Sequence, residues 1–191
     1  MSVFETKRQA AHMAFGALLV GIGVLLGENA LIAALSVCLL GGLALLNWHR
    51  LGGRNRLVDG VLDSFERRSV GFPGKGALMY VVGCLFLVAF SQSLSFALAM
   101  ICVLAFGDGF ATIIGVRGMH PLAWNKNKSV EGLCAFIVAS VASSSLFVPF
   151  NAALFYSVIL AFVEAIDFPV DDNLLIPAVA VLLKFGMGVP A

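Results

Sequence analysis

"FGDGFATIIGVRGMHPLAWNKNKSVEG" (residues 106–132) places a carboxylate inside an apolar run and then gathers polar groups in one short loop. Asp108 stands between two glycines, and the apolar run 94–106 needs residues 107–115 to reach the length of a membrane span. A carboxylate at that depth is costly and is therefore a candidate functional residue. A hard cation such as Mg²⁺ would satisfy its charge. The alternative is an aspartate paired with a basic residue of another helix for structure alone.

The rest of the chain is too apolar for a water-soluble domain. Of its 191 residues, 60% are hydrophobic and 12% are charged, and the mean hydropathy is +0.99. A soluble domain carries about a quarter charged residues. A single soluble core could not bury this much apolar side chain, because the surface of a small protein is too large relative to its volume. We therefore predict an integral membrane protein.

Apolar runs divide the chain into seven predicted membrane helices. The runs are continuous rather than alternating, which favours helices over strands in lipid. The predicted helices are 10–27, 30–46, 76–91, 94–115, 131–150, 152–167 and 171–189. Between the second and third, the loop 47–75 has apolar residues at helical spacing, which predicts an amphipathic helix along the headgroups or one packed on the protein. The predicted fold is all-α and polytopic, with residues 1–191 in a single domain.

The positions of Lys and Arg predict the orientation. Basic residues occur in the N-terminal tail and in the loops 47–75 and 116–130, whereas the loops on the other side have none. The positive-inside rule then places the N-terminus in the cytoplasm, and in a prokaryote the membrane would be the cell membrane. Carboxylates from four separate segments fall on the same side, which the rule does not require. Their concentration predicts a site that faces the cytosol.

The loop "NKNKSVEG" (residues 125–132) combines two lysines with neutral hydrogen-bonding side chains. Lys126 and Lys128 are suited to phosphate binding, and Ser129 or Asn127 is a candidate cap for a helix that begins near Val130. A helix N-terminus also favours anions. The alternative is an ordinary solvated basic loop before a capped helix.

A third motif, "VEAIDFPVDDNLLIP" (residues 163–177), carries acidic groups across a helix–loop–helix boundary. Paired acids followed by an amide suit a divalent cation. The alternative is a helix start whose acids lie near the positive end of the helix dipole. That alternative accounts for Asp171 and Asp172 but leaves Glu164, inside an apolar run, unexplained. The basic groups are few and interleaved with acids, which argues against a nucleic-acid partner.

These motifs together resemble the polyprenol kinase family, which comprises dolichol kinases, phytol and related prenol kinases, and CTP-using diacylglycerol kinases. "GDGFATIIG", "NKNKSVEG" and "VEAIDFPVDDNLLIP" carry the resemblance. "ETKRQAAHM" (residues 5–13) and "RRSVGFPGKGALMY" (residues 67–80) extend it, so that it covers about residues 5 to 180. The chain departs from the pattern at Gln9, where the family is expected to have a basic residue.

The resemblance implies CTP-dependent phosphorylation of a membrane-embedded isoprenoid alcohol, with Mg²⁺ or Mn²⁺, at the cytoplasmic face. Asp108, Lys128 and Asp172 are the expected catalytic residues. The expected metal ligands are Asp108, Asp171, Asp172 and Glu164. The expected nucleotide and phosphate contacts are Gly107, Gly109, Asn125, Lys126, Asn127, Lys128, Ser129 and Lys75. Further candidates are His12, Arg8, Glu131 and Asn173.

Two other functions fit parts of the same pattern. A lipid cytidylyltransferase would use CTP and Mg²⁺ to make a CDP-lipid and release pyrophosphate. A small ion-coupled transporter would use the intramembrane acids. The polar groups gather on one side rather than along a path across the membrane, which argues against transport.

Overall fold

The computed structural model describes residues 3–53 and 74–187, and it describes the side chains of residues 6–53 and 74–186. Within those ranges the secondary structure is seven helices and one isolated bridge between Pro121 and Ser129. The helices are α1 (Val3–Leu26), α2 (Glu28–Arg50), α3 (Lys75–Phe90), α4 (Leu94–Gly115), α5 (Val130–Ser144), α6 (Phe150–Ala165) and α7 (Asp172–Met187). The all-α prediction is confirmed for this part of the chain. Most of the predicted amphipathic segment lies outside the described residues.

Three of the helices are long and apolar enough to cross a membrane. They cover Thr6–Leu26, Glu28–Arg50 and Leu94–Gly115. α3, α5 and α6 are apolar but shorter, with 15 or 16 residues each. Each predicted run therefore coincides with a helix, and three of the seven have the length of a span.

α4 is the central helix of the bundle. In the most apolar 18-residue stretch of each helix, 67% of the α4 residues are buried, compared with 22% for α1 and 17% for α2. Phe96, Met100 and Leu104 of α4 are almost fully buried, whereas Leu25 on α1 and Leu40 on α2 are largely exposed. Large exposed apolar surfaces on α1 and α2 are what lipid-facing helices require, because the bilayer replaces water as their solvent.

The regular α-helical geometry of α4 is interrupted immediately before Asp108. Residues Val103–Gly107 form a π-helical turn between two α-helical segments, Leu94–Cys102 and Asp108–Gly115. Single π turns inside α-helices are frequent at functional sites, because the extra residue redirects the side chains that follow. The π turn therefore favours a functional role for the part of α4 around Asp108.

One end of the bundle collects the residues with functional groups. The starts of α1, α3, α5 and α7 and the ends of α4 and α6 all contribute to one cavity there. The links at the other end are short: Gly27, with a φ of +84°, connects α1 to α2, and residues 91–93 connect α3 to α4. We call the end that contains the cavity the site end.

Candidate active site

The cavity at the site end has a volume of about 520 Å³ and a lining rich in charge. Among the described residues its walls carry five carboxylates and two basic side chains. The acids are Asp108, Glu164, Asp167, Asp171 and Asp172, and the bases are Arg8 and Lys128. The excess of negative charge would repel a bare triphosphate. A nucleotide that entered with a divalent cation would meet much less repulsion.

Lys128 and Glu164 form an ion pair in the cavity wall. The Glu164 side chain is only 4% exposed, whereas that of Lys128 is 34% exposed and reaches the cavity. Burial by itself would lower the pKa of Lys128, but the charges of Glu164, Asp172 and Asp108 raise the pKa above its usual value. The ammonium group is therefore charged at neutral pH. The pair also explains why an acid interrupts the apolar run of α6.

Asn125 holds the loop that carries Lys128. Its Nδ2 donates to the carbonyl oxygen of Ala165 (3.1 Å), and its Oδ1 accepts from the backbone N–H of Asn127 (3.0 Å). The backbone N–H of Lys128 donates to the carbonyl oxygen of Asn125 (3.1 Å). These bonds attach the loop to the end of α6, where Glu164 lies. Asn125 is buried and does not line the cavity, so in this structure it fixes the loop.

Ser129, one of the two predicted caps, is the residue that caps α5. Its hydroxyl accepts a hydrogen bond from the backbone N–H of Gly132 (3.2 Å) and donates to the carbonyl oxygen of Gly115 (3.0 Å). A Cβ atom on Gly132 would lie 2.9 Å from the Cα atom of Gly115, so only glycine allows the two helices to approach this closely. The cap therefore joins the end of α4 to the start of α5, and Gly115, Ser129 and Gly132 all line the cavity.

Asp108 follows the π turn and lines the cavity. Its Oδ2 atom lies 3.8 Å from Nε2 of His12 on α1. The flanking glycines contact neighbouring helices and lie outside the cavity lining. A Cβ atom on Gly107 would approach Oγ of Ser140 to 2.3 Å, and one on Gly109 would approach Cγ of Met13 to 2.6 Å. Both glycines thus allow close helix packing around Asp108.

The start of α7 brings Asp171, Asp172 and Asn173 to the same cavity. Oδ1 of Asp171 accepts from the backbone N–H of Asn173 (3.1 Å), and the Asp171 carbonyl oxygen accepts from the N–H groups of Leu174 and Leu175 (both 2.9 Å). Asp171 therefore caps the helix, which was the structural alternative for this residue. Asp172, one residue later, has no such bond among the described contacts and is available to a ligand.

The arrangement fits a magnesium ion that is bound together with a nucleotide. Among the described residues, no three His, Cys, Asp or Glu side chains lie close enough to form a complete protein site. Mg²⁺ usually takes one or two carboxylates and fills its remaining positions with water and substrate phosphates. Asp108 and Asp172, which line the same cavity, match that mode.

The structure places several predicted contacts away from the cavity. Lys75 and Lys126 are exposed and do not line it. Glu131 turns to the preceding loop, where its carboxylate accepts from the Met119 N–H (3.0 Å) and pairs with Nδ1 of His120 (2.7 Å). Asn127, Arg8 and Asn173 do line it.

Three polar side chains of the lining were not among the predicted site residues: Gln9, Thr112 and Asp167. Thr112 lies four residues after Asp108, and residues at that spacing share a face of a helix. The spacing was therefore a usable signal. Gln9 is 2% exposed, and a polar residue in the first turns of an apolar helix is a weaker indication of the same kind.

The chain is similar in sequence to several known proteins. The chain is 31% identical to an uncharacterized protein of Methanocaldococcus jannaschii over 94% of this chain and 92% of the relative. It is also 33% identical to the farnesol kinase of Arabidopsis thaliana over 58% of this chain, and 31% identical to a probable phytol kinase of Glycine max over 57%. These matches relate the chain to the isoprenoid alcohol kinases.

The extent of these matches differs between relatives. The chain spans about the whole archaeal relative but only 42% and 40% of the two plant proteins, whose names place them in the chloroplast. No protein-family model matches the chain, and no solved structure matches it.

Proposed function

We propose that this protein transfers the γ-phosphoryl group of CTP to the hydroxyl group of an isoprenoid alcohol. The observation that carries the proposal is the Lys128–Glu164 pair in a cavity that also contains Asp108 and Asp172. Phosphoryl transfer depends mainly on positioning and on charges that neutralise the phosphate oxygens. The kinase names of the plant relatives support the reaction class and the type of alcohol.

The reaction is a displacement at phosphorus. The oxygen of the alcohol forms a bond to the γ-phosphorus, the bond from that phosphorus to the bridging oxygen breaks, and CDP leaves with the electron pair. Asp108 accepts the proton of the alcohol and later releases it to water. Lys128 shifts from Glu164 towards the phosphates, where its charge stabilises the oxygens of the transferred group.

Magnesium would supply the positive charge that a nucleotide needs in this acidic cavity. Asp108 and Asp172 are the residues that we propose to hold it, with Asp171 and Glu164 as the further predicted ligands. Asp171 also caps α7, Glu164 pairs with Lys128 and Asp108 lies 3.8 Å from His12, whereas the described contacts include no side-chain hydrogen bond of Asp172.

We place the site at the cytoplasmic face. Basic residues of the described chain, such as Arg50, Arg117 and Lys126, lie at the site end, and the short links at the other end contain none. The positive-inside rule favours the cytoplasm for the basic end. A cysteine introduced at exposed Lys126, in a Cys38→Ser/Cys134→Ser background, should react with an impermeant maleimide only in inside-out vesicles. Reaction only in right-side-out vesicles would reverse the orientation.

The assay uses purified protein in detergent with Mg²⁺, a panel of prenols and diacylglycerol, and CTP or ATP labelled at the γ-phosphate. We expect label on a prenol with CTP as donor. Label that reaches the lipid from α-labelled CTP would indicate a cytidylyltransferase. The absence of label on every prenol would contradict the proposal.

A further inference from the structure

His12 on α1 meets α4 at the π turn that precedes Asp108. Its Nε2 atom lies 3.2 Å from the carbonyl oxygen of Leu104 and 3.8 Å from Oδ2 of Asp108. The His12 side chain is 15% exposed, and Leu104 is fully buried. One imidazole therefore contacts both the backbone of the π turn and the side chain that follows it.

The π turn changes which backbone groups pair. In an α-helix the N–H of Asp108 would donate to the carbonyl oxygen of Leu104, four residues earlier. Here it donates to the carbonyl oxygen of Ala105, three residues earlier. Nε2 of His12 lies within hydrogen-bond distance of the Leu104 carbonyl oxygen, beside this irregular backbone pairing. A hydrogen bond between these two atoms has Nε2 as its donor, because a carbonyl oxygen only accepts.

The sequence explains why α1 comes close enough for this contact. Gly16 lies four residues after His12, and a Cβ atom there would approach Cβ of Ala105 to 2.3 Å and the Tyr80 hydroxyl to 2.6 Å. The Tyr80 ring packs edge-on against the imidazole, with ring centroids 4.4 Å apart. Together Gly16 and Tyr80 fix the position and the orientation of the His12 ring.

We propose that His12 is a positioning residue that holds the π turn, and through it the Asp108 carboxylate, in place for phosphoryl transfer. It does so as a hydrogen-bond donor to Leu104 and exchanges no proton with the substrate. The kinetic part of the inference rests on the proposed function, because that function makes Asp108 the acceptor of the alcohol proton.

Two variants separate donation from proton transfer. His12→Gln keeps an N–H donor at about the reach of Nε2, whereas His12→Leu keeps a similar volume and removes the donor. His12→Leu should lower kcat roughly tenfold or more with little change in the KM for CTP, since a contact that positions the reacting groups acts on the transition state. His12→Gln should restore kcat to within about threefold of the wild type and keep the wild-type pH profile.

The opposite kinetic results overturn the inference. A His12→Gln enzyme as slow as His12→Leu, or one whose pH profile loses a limb, would show that His12 transfers a proton. Wild-type kcat in His12→Leu would show that the contact has no role. His12→Phe, which keeps a ring against Tyr80 but has no donor, replaces His12→Leu if that variant does not fold.

Two measurements decide the structural part without kinase activity. Amide hydrogen exchange in detergent should be faster over residues 103–109 in His12→Leu and unchanged in His12→Gln. ¹⁵N NMR of the wild type should show a protonated Nε2 on His12. An unprotonated Nε2, or equal exchange in the wild type and His12→Leu, would overturn the inference. If no prenol is phosphorylated by the wild type, the proposed function fails, while these two results still test the His12 contact.

Discussion

Lys128 and Glu164, 36 residues apart in the chain, form an ion pair between the loop before α5 and the end of α6. Buried ion pairs contribute little to stability on balance, because removing two charges from water costs about as much as their attraction returns. An ion pair in the wall of an open cavity is therefore better explained by a role in ligand binding than by a contribution to stability. Phosphate oxygens that enter the cavity would offer Lys128 a second anionic partner.

Removal of the acid should destabilise the protein. Glu164→Gln leaves the Lys128 ammonium without its partner, and breaking a buried pair in this way costs about 3–5 kcal/mol. Because Lys128 is a third exposed, we expect the lower end of that range, measured as a fall in the free energy of unfolding in detergent. The double variant Glu164→Gln/Lys128→Met should recover much of the loss. Equal stability of Glu164→Gln and the wild type would contradict a buried pair.

Lys128 should be required for nucleotide binding. Lys128→Gln removes a charged hydrogen-bond donor, and such a contact is worth about 1.5–3 kcal/mol, which corresponds to roughly a 10- to 100-fold rise in the KM for CTP. Lys126→Gln is the matched control, because Lys126 is exposed and lies outside the cavity lining. We expect its KM to remain near the wild-type value. Equal effects of the two substitutions would reject the phosphate role of Lys128.

Loss of the Asp108 carboxylate should slow phosphoryl transfer. Asp108→Asn keeps the shape of the side chain and removes its charge, and loss of a general base typically lowers kcat by about 10²- to 10⁴-fold. Steady-state turnover with labelled CTP and farnesol provides the measurement. Glu28→Gln, at the other end of the bundle, serves as the control for a lost carboxylate. Turnover near the wild-type value in folded Asp108→Asn would remove Asp108 from the mechanism.

Asn125 should act through the position of Lys128. Asn125→Ala removes both side-chain hydrogen bonds of a buried amide, which costs about 1–3 kcal/mol in stability for each group left unsatisfied. We also expect a higher KM for CTP, because the loop loses its attachment to Ala165. Asn151→Ala, an exposed asparagine on α6 at the other end of the bundle, should change neither quantity. An unaltered KM in Asn125→Ala would show that the loop keeps its place by other contacts.

Activity should depend on a divalent cation. Chelation with EDTA should abolish label transfer, and Mg²⁺ should restore it, since the acidic cavity needs added positive charge to accept a triphosphate. Asp172→Asn should raise the Mg²⁺ concentration for half-maximal activity by about tenfold, as expected when one of a few ligands is lost. Full activity in excess EDTA would exclude the magnesium proposal.

The motifs were visible in the sequence, but the partners of their side chains were not. The Ser129 cap followed from local rules, because a capping hydroxyl and the N–H that it accepts from are three residues apart. Glu164 was recognised as out of place in an apolar run, yet its partner lies in another loop. The amide of Asn125 resembled a phosphate contact by composition, and its bond to Ala165 became evident only from the folded chain.

Hydropathy predicted where the helices lie better than it predicted where they end. The apolar runs located all seven helices of the described residues, since a helix in lipid must be apolar over most of its length. Predicted spans such as 131–150 became shorter helices in the structure, here Val130–Ser144, because Ser145, Phe147 and Val148 turn out of the helix before Pro149. The π turn before Asp108 lies where α1 and α5 pack against α4, and hydropathy does not report contacts between helices that are distant in the chain.

The sequence alone determined an all-helical membrane protein with an acid in its fourth helix and a family resemblance carried by three motifs, because hydropathy, helix caps and short motifs are properties of neighbouring residues. Only the tertiary structure decided that Lys128 meets Glu164, that Asp171 caps a helix while Asp172 stays available, and that His12 reaches the backbone of the π turn. Those relationships depend on the way helices distant in the chain pack against one another, and close glycine contacts such as Gly16 with Ala105 set the distances between them.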